Sequence, residues 1–297
     1  MARRLNFLIF ASIFSLSLSI FPSSSFADWT PLIERLVADK FDEQVIRKMF
    51  DRPGVNFDPS AMSCKLKELI NKRYKKQDAV SARKVRAAYA RFLRPEVIAE
   101  AQSYLQRHRE TLQGIAENYC VPKEIVVSIL LVETELGRHL GDRGAFNTLA
   151  SMALSSDLET IRPYLAPDLI NRRNEEFAKK RCRQKADWAY GELKALIRYA
   201  SESGIDLLSI PGSLYGAIGI CQFMPTKISV YGVDADRDGR VNLFTEPDAL
   251  YSMANYLRAH GWRCDMSAKR QYRVILAYNH SQIYADTVLN VAKKLKE

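Results

Sequence analysis

The segment SILLVETELGRHLG, residues 128–141, constrains the fold more than any other in the chain. Read as a helix, it sets Glu133 on a stripe with Val126, Ile129, Leu130 and Leu136 at i−7, i−4, i−3 and i+3. Side chains three and four apart share a helix face, so this carboxyl is surrounded by hydrocarbon. Glu135 falls about 200° round the same helix. There Arg138 and His139, at i+3 and i+4, are placed to pair with it and keep it ionised. The two carboxyls therefore have opposite environments. Desolvation disfavours the charged form and raises a carboxyl's pKa, which makes Glu133 a candidate general acid. The competing reading is a glutamate that reaches solvent or meets a buried arginine.

Around this segment the chain reads as mainly α, with weak and scattered strand signals and no repeat. LIERLVADK and DEQVIRKMF have helical spacing and are broken by the turn-rich DRPGVNFDPS, residues 51–60. One long amphipathic helix is expected from about Pro95 to Tyr119. Pro122 suits the first turn of the next helix, which carries Glu133 and is expected to end near Gly137. DWAYGELKALIRYASESG is a further helix stopped by Gly204. The expected division is a signal segment over 1–27, an N-terminal helical region over 28–118, and a catalytic region over 119–297. The last contains a helical insertion at about 152–205 and an acidic loop at 234–248.

The first 27 residues have Arg3 and Arg4, an apolar run from Leu5 to Phe21, and the small residues Ser25 and Ala27. This is the pattern of a cleaved secretory signal, the alternative being an uncleaved anchor. No cysteine follows the run, so a lipoprotein anchor is not expected. Removal of the segment takes two arginines and no acid, so the formal net charge of +10 becomes +8. A cationic exported protein favours an anionic partner such as a cell-wall polymer or a lipid surface. Nucleic acid is disfavoured, because no nucleic-acid-binding motif is present. The basic run NKRYKKQDAVSARKVR, residues 71–86, reads as a solvated helix face or as a binding patch. Cys64, Cys120, Cys182, Cys221 and Cys264 show no zinc-ligand spacing. Export permits disulfides, but the odd count leaves at least one thiol free and does not give the pairing.

Three other stretches bear on chemistry. In DADRDGRVNLFTEPD, residues 234–248, Asp234, Asp236 and Asp238 followed by Gly239 match the first half of a calcium loop. Arg240 would offer only its carbonyl, and Thr245 stands where the usual late glutamate is expected. A calcium-free Asp-rich turn is the alternative. GSLYGAIGICQFMP, residues 212–225, interleaves glycines 212, 216 and 219 with Ser213, Tyr215 and Gln222, which suits either substrate approach or close helix packing. In LAYNHSQIYADTV, the Tyr278–Asn279 pair leads into a helix, and Asn279 could simply cap it. No GxSxG elbow, HExxH helix or phosphate-cradling loop occurs.

Taken in order, VPKEIVVSILLVETELGRHLG, GSLYGAIGICQFMP, YGVDADRDGRVNLFTEPDALYSMANYLRAHGW and AYNHSQIYADTVLNVAKKL resemble the lytic murein transglycosylase B family. The resemblance is close from about residue 120 and looser before it. It implies a lysozyme-like catalytic core, an additional helical domain and a small EF-hand-like calcium loop. It also implies cleavage of the MurNAc-β-1,4-GlcNAc bond of peptidoglycan to 1,6-anhydroMurNAc ends, with Glu133 as acid and then base. By the same resemblance Ser213, Gln222, Tyr278 and Asn279 line the glycan groove. Asp234, Asp236, Asp238, the Arg240 carbonyl and Asp248 hold calcium. The expected setting is periplasmic, acting as a monomer on glycan strands, with possible partners in wall synthesis or remodelling. Two rivals follow from the residues: a hydrolytic muramidase, for which Asp142 or Asp157 would be the second carboxylate, and a non-catalytic, calcium-stabilised glycan-binding protein. The chain departs from the family pattern at Cys221 and in its set of cysteines.

Overall fold

The structure, a computed structural model, describes residues 27–74 and 79–297. The expected signal segment lies outside the described residues, apart from Ala27. Before the segment that carries Glu133 come α1 (Thr30–Ala38), α2 (Glu43–Phe50), α3 (Ser60–Tyr74), α4 (Ala79–Ala90), α5 (Pro95–Arg107) and α6 (Arg109–Tyr119). The segment itself is α7 (Lys123–Thr134). After it come α8 (Ala145–Leu154), α9 (Leu158–Ile161), α10 (Glu175–Ser203), α11 (Pro225–Tyr231), α12 (Glu246–Ala259), α13 (Ala268–Tyr278) and α14 (Gln282–Lys296). Among the described residues the only ladder joins β1 (Arg143–Gly144) antiparallel to β2 (Pro211–Gly212). The mainly α expectation holds.

Local chemistry sets most of the boundaries. Asp42 caps α2 by accepting from the Val45 amide at 2.9 Å, which satisfies one of the free amides of its first turn. The 51–60 stretch separates α2 from α3 as expected. Gly204, in the left-handed region, ends α10. Two boundaries differ from the sequence reading. The segment from Pro95 to Tyr119 is two helices, broken at His108. The His108 ring stacks on Tyr104 at 4.0 Å and its Nδ1 lies 3.0 Å from a Glu246 carboxylate oxygen, while Tyr104 donates to the other oxygen. A side chain at the start of α12 thus compensates for the break. The second difference is at α7, which stops at Thr134 rather than near Gly137.

Helix α7 sits at the centre of the core. Ile125, Val126, Val127, Ile129, Leu130 and Leu131 are all buried, so the helix is apolar almost all round and must be covered on every side. Helix α14 crosses it with the most extensive contact, and α5, α6 and α12 pack on its remaining faces. Helix α10, the longest, packs on α8, α11 and α3. One continuous hydrophobic core joins the two groups of helices, from Leu36 through Leu66, Leu130 and Leu193 to Val288. Each such leucine, fully buried, contributes about 1.5–3 kcal/mol.

A disulfide joins Cys120, just before α7, to Cys264, just after α12, across 144 residues of chain. The Trp262 indole also donates to the Cys120 carbonyl, at 2.9 Å. Cys182 and Cys221 are buried free thiols, and Cys64 is an exposed one. Closing so long a loop restrains the unfolded chain most. Cys264→Ser should therefore lower the unfolding free energy by about 2–4 kcal/mol in urea titration under non-reducing conditions. Equal stability of variant and parent would mean that the two sulfurs are not joined.

Candidate active site

The site is built on the last turn of α7. Glu135, Leu136 and Gly137 all have positive φ, and the Glu135 and Leu136 amides donate back to the Leu131 and Leu130 carbonyls, closing the helix tightly. Left-handed backbone at two non-glycine residues costs on the order of 1–3 kcal/mol each. Side chains hold it in place. Glu135 pairs with Arg91 at 2.8 Å and with His139 at 3.3 Å. Arg138, expected to join this pair, instead reaches Glu100 on α5. The i+3 spacing no longer applies once the helix has ended. Buried Thr134 donates to the Ile220 carbonyl at 3.0 Å and accepts from the Gly137 amide at 3.1 Å. That single hydroxyl ties the end of α7 to the glycine-rich loop.

Glu133 is partly buried beside this clamp. Burial pushes its carboxyl up to about 7 from an ordinary 4.5; the Tyr284 hydroxyl and the Lys227 ammonium pull it the other way without offsetting burial. The Tyr284 hydroxyl is itself buried and has no partner within full hydrogen-bonding geometry. Tyr278, Tyr284 and Tyr89 are phenols held above their ordinary value, first by burial and in part by the Glu133 charge. Lys227 is partly desolvated, which pulls it below the ordinary lysine range, and its ammonium lies 4.6 Å from the Tyr256 ring centre. Among the described residues, no second carboxyl is one of the groups that shift Glu133. Of the two that sequence left open, Asp157 is occupied as the N-cap of α9 and Asp142 is exposed.

The glycine-rich loop folds as small antiparallel bridges, Gly212 with Ile218 and Ile218 with Phe223. Gly216 and Gly219 have φ of +84° and +72°, and a Cβ on either would lie within 2.7 Å of Leu149 or Leu243. Close packing therefore explains these glycines. Gln222, between buried Cys221 and Phe223, also has positive φ, and its amide nitrogen donates to the Leu140 and Gly219 carbonyls, so its carbonyl oxygen remains available. The Ser213 hydroxyl oxygen accepts from the Ala217 and Tyr215 amides, leaving its proton for an acceptor. The Tyr278 hydroxyl is already used, donating to the Cys221 carbonyl at 2.5 Å. Tyr278 is thus a strut between α13 and the loop, and offers a ligand its ring. Asn279 ends α13 with extended backbone, and its side-chain amide has no partner among the described residues; Ser281, not Asn279, caps α14.

Sequence reading missed Tyr89, Lys227 and Tyr284 around Glu133. Tyr89 lies on α4 three residues past the basic run, whose Arg83, Lys84 and Arg86 are solvent-exposed, whereas Tyr89 is partly buried. Lys227 and Tyr284 sit on α11 and α14, and no local spacing connects them to α7. A cavity of about 500 Å³ between α2 and the end of α10 contains none of these residues and is not this site.

The acidic loop draws one carboxylate oxygen each from Asp234, Asp236 and Asp248 to within 4.8 Å of one another. Asp248 is fully buried and accepts from the Ala235 and Asn242 amides at 2.8 and 2.7 Å. Asp238 departs from the expected set. It is not one of the three converging carboxylates, and its own carboxylate accepts from the Arg240 amide at 2.9 Å. The Arg240 guanidinium lies against Gly204 at the end of α10, away from the carboxylates. Three converging hard oxygens, one of them wholly buried, fit a calcium ion.

Residues 25–271 match the family described as the Transglycosylase SLT domain. Membrane-bound lytic murein transglycosylase B of Escherichia coli (strain K12) is 31% identical over 172 residues, 58% of this chain and 40% of that protein. The match thus spans well under half the length of that relative. The solved structure of the Escherichia coli lytic transglycosylase SLT35 in complex with calcium matches with a TM-score of 0.67 and 20% identity, covering 92% of this chain and 93% of that one. SltB3 from Pseudomonas aeruginosa, in complex with NAG-anhNAM-pentapeptide, matches with a TM-score of 0.66 and 22% identity over 90% of this chain and 78% of that one. These likenesses establish the fold as that of the solved lytic transglycosylases.

A carboxyl with a raised folded-state pKa stabilises the fold most when it is protonated. That contribution is lost as pH rises from about 4.5 through about 7. Glu133→Gln cannot ionise and escapes the loss. The variant should match the parent at pH 4 and exceed it at pH 8 by roughly 3 kcal/mol in thermal or urea unfolding. A constant difference across that range would mean that Glu133 is not buried as a neutral acid.

Proposed function

Because the chain belongs to the Transglycosylase SLT domain family, we propose that it is a peptidoglycan lytic transglycosylase that breaks the MurNAc-β-1,4-GlcNAc bond without water. The observation that carries this reading is one carboxyl, Glu133, held up to about 7 by burial, with no second carboxyl among the described residues contributing to that shift. A hydrolase of the ordinary kind needs two carboxyls facing each other across the bond. A lone neutral carboxylic acid suits a reaction in which the substrate supplies its own nucleophiles.

In the proposed cycle the Glu133 proton passes to the glycosidic oxygen as that oxygen separates from the muramoyl C1, releasing the GlcNAc-bearing fragment with a free hydroxyl. The carbonyl oxygen of the muramoyl N-acetyl group bonds to C1 as the leaving group departs. Glu133, now a carboxylate, removes the proton of the C6 hydroxyl. The C6 oxygen then bonds to C1, the acetamide is restored, and Glu133 ends protonated. Desolvation suits both halves, because a pKa near neutrality lets one group give and take a proton. Gln222, Ser213 and Asn279, each with an unspent polar atom, are proposed to hold the sugars, and the Tyr278 ring to form a wall. Residues 119–297 would carry this chemistry, with 28–118 as an accessory helical region. Cleavage of the signal at 1–27 would place the enzyme in the periplasm, and no helix among the described residues is long and apolar enough to cross a membrane.

Mass spectrometry of fragments released from purified peptidoglycan tests the reading. Anhydro-muramoyl ends, lighter than hydrolysed ends by one water and absent with Glu133→Gln, are expected. Reducing ends would instead make the protein a muramidase, and no fragments from folded protein would make it a binding module.

Calcium in the 234–248 loop is proposed as a structural clip held by Asp234, Asp236, Asp248 and the Arg240 carbonyl. Saturating calcium should raise the melting temperature by several degrees, corresponding to about 1–3 kcal/mol. Asp248→Asn should abolish that rise. A melting temperature indifferent to both calcium and chelator would contradict the assignment.

A further inference from the structure

Resting on that functional reading, we propose that the strip of stacked cations formed by α3 and the first half of α10 binds the acidic peptide stems of the glycan strand. On this strip the Arg73 guanidinium lies 4.8 Å from the Phe177 ring centre, and Arg181 lies 5.0 Å from the same ring. Arg173 stacks on Tyr74 at 5.9 Å, Lys185 lies 5.3 Å from Trp188, and Lys65 lies 4.0 Å from Tyr215. Aromatic faces hold these cations in place.

Counter-charge on the strip is sparse: Glu175 and Glu176 pair with Arg162 and Lys179, which leaves Glu68. Among the described residues Arg73, Arg173, Arg181 and Lys185 have no ion-pair partner, and Lys65 has only Glu68, at 2.7 Å. The other half of α10 shows the contrast. There Arg35 and Lys194 stack on Tyr190 at 3.8 and 4.8 Å, and they pair with Asp187 and Asp39 respectively. The Arg181 Nε is buried with no hydrogen-bond partner, its guanidinium being held by Gln184 alone. Burial, followed by the nearby Lys65 and Arg181 charges, pulls the Lys185 ammonium below the ordinary lysine range. An anion arriving here would relieve like-charge repulsion.

Position identifies the anion. Tyr215 belongs to the glycine-rich loop, its amide donates to Ser213, and its hydroxyl donates to Glu68 on α3. The strip therefore begins where the proposed sugar-holding loop ends. The sugars of a peptidoglycan strand carry no net charge, and its carboxylates lie on the peptides attached to the muramoyl residues. A strand leaving the loop along α3 would present those carboxylates to the strip.

The test compares the purified protein with Arg73→Gln/Arg181→Gln/Lys185→Gln, and with Lys185→Gln alone as the milder change, on strands carrying peptide stems and on the same strands with their stem carboxyls converted to neutral amides. On stem-bearing strands the triple variant should show a KM raised about three- to tenfold with kcat unchanged. On amidated strands the difference should vanish. Equal KM for parent and variants on stem-bearing strands, or an equal rise on both substrates, would overturn the proposal. So would loss of binding to phosphatidylglycerol vesicles with stem-bearing turnover intact, which would make the strip a lipid surface. If the parent turned over neither substrate, the functional reading would fail while the strip remained testable. In that case Glu133→Gln should pellet with intact sacculi, and the same protein with the triple substitution should pellet several-fold less; equal pelleting would overturn the proposal.

Discussion

Everything at the site depends on burying α7 on all sides. A helix whose Ile125, Val126, Val127, Ile129, Leu130 and Leu131 are all covered cannot shift without exposing several of them. It is therefore a rigid mount. Glu133 inherits that rigidity and the low dielectric of its surroundings, and desolvation exceeds the opposing pull of Lys227 and Tyr284. The same core holds α14, which brings Tyr284 to the carboxyl, and through Thr134 it holds the loop that carries Ser213 and Gln222.

Strain is concentrated where α7 ends. Left-handed backbone at Glu135 and Leu136, and again at Gln222, brings two chain reversals together around one buried hydroxyl, that of Thr134. Ion pairs to Arg91 and His139 on one side, and the Tyr278 strut to the Cys221 carbonyl on the other, keep these reversals in place. The geometry around Glu133 is maintained by such over-determined contacts rather than by Glu133 itself. Glu135 therefore has a structural task, although it lies only two residues from Glu133.

What the sequence revealed followed the range of the interactions involved. The apolar stripe around Glu133 and the acidic spacing of the 234–248 loop are local patterns, so both could be read directly. The stop at Gly204 and the break at 51–60 were legible because glycine and proline act on their own backbone. The break at His108 was not, because it rests on Glu246, which meets His108 only in the folded chain. The early end of α7 likewise removed the spacing by which Arg138 was to meet Glu135. The engagement of the Tyr278 hydroxyl by the Cys221 carbonyl, 57 residues away in the chain, was likewise not legible. Lys227, Tyr89 and Tyr284 converge on Glu133 from three separate helices, and a single sequence contains no trace of that convergence.

The central claim is that Glu133 is a neutral acid at the pH at which it works. The direct measurement is a pH titration of its side-chain carboxyl carbon by NMR in ¹³C-glutamate-labelled protein, with the resonance assigned by its absence in Glu133→Gln. A midpoint near 7 is predicted, well separated from the exposed glutamates. A midpoint near the ordinary 4.5 would contradict the account, since the group would then be ionised at neutral pH and have no proton to give.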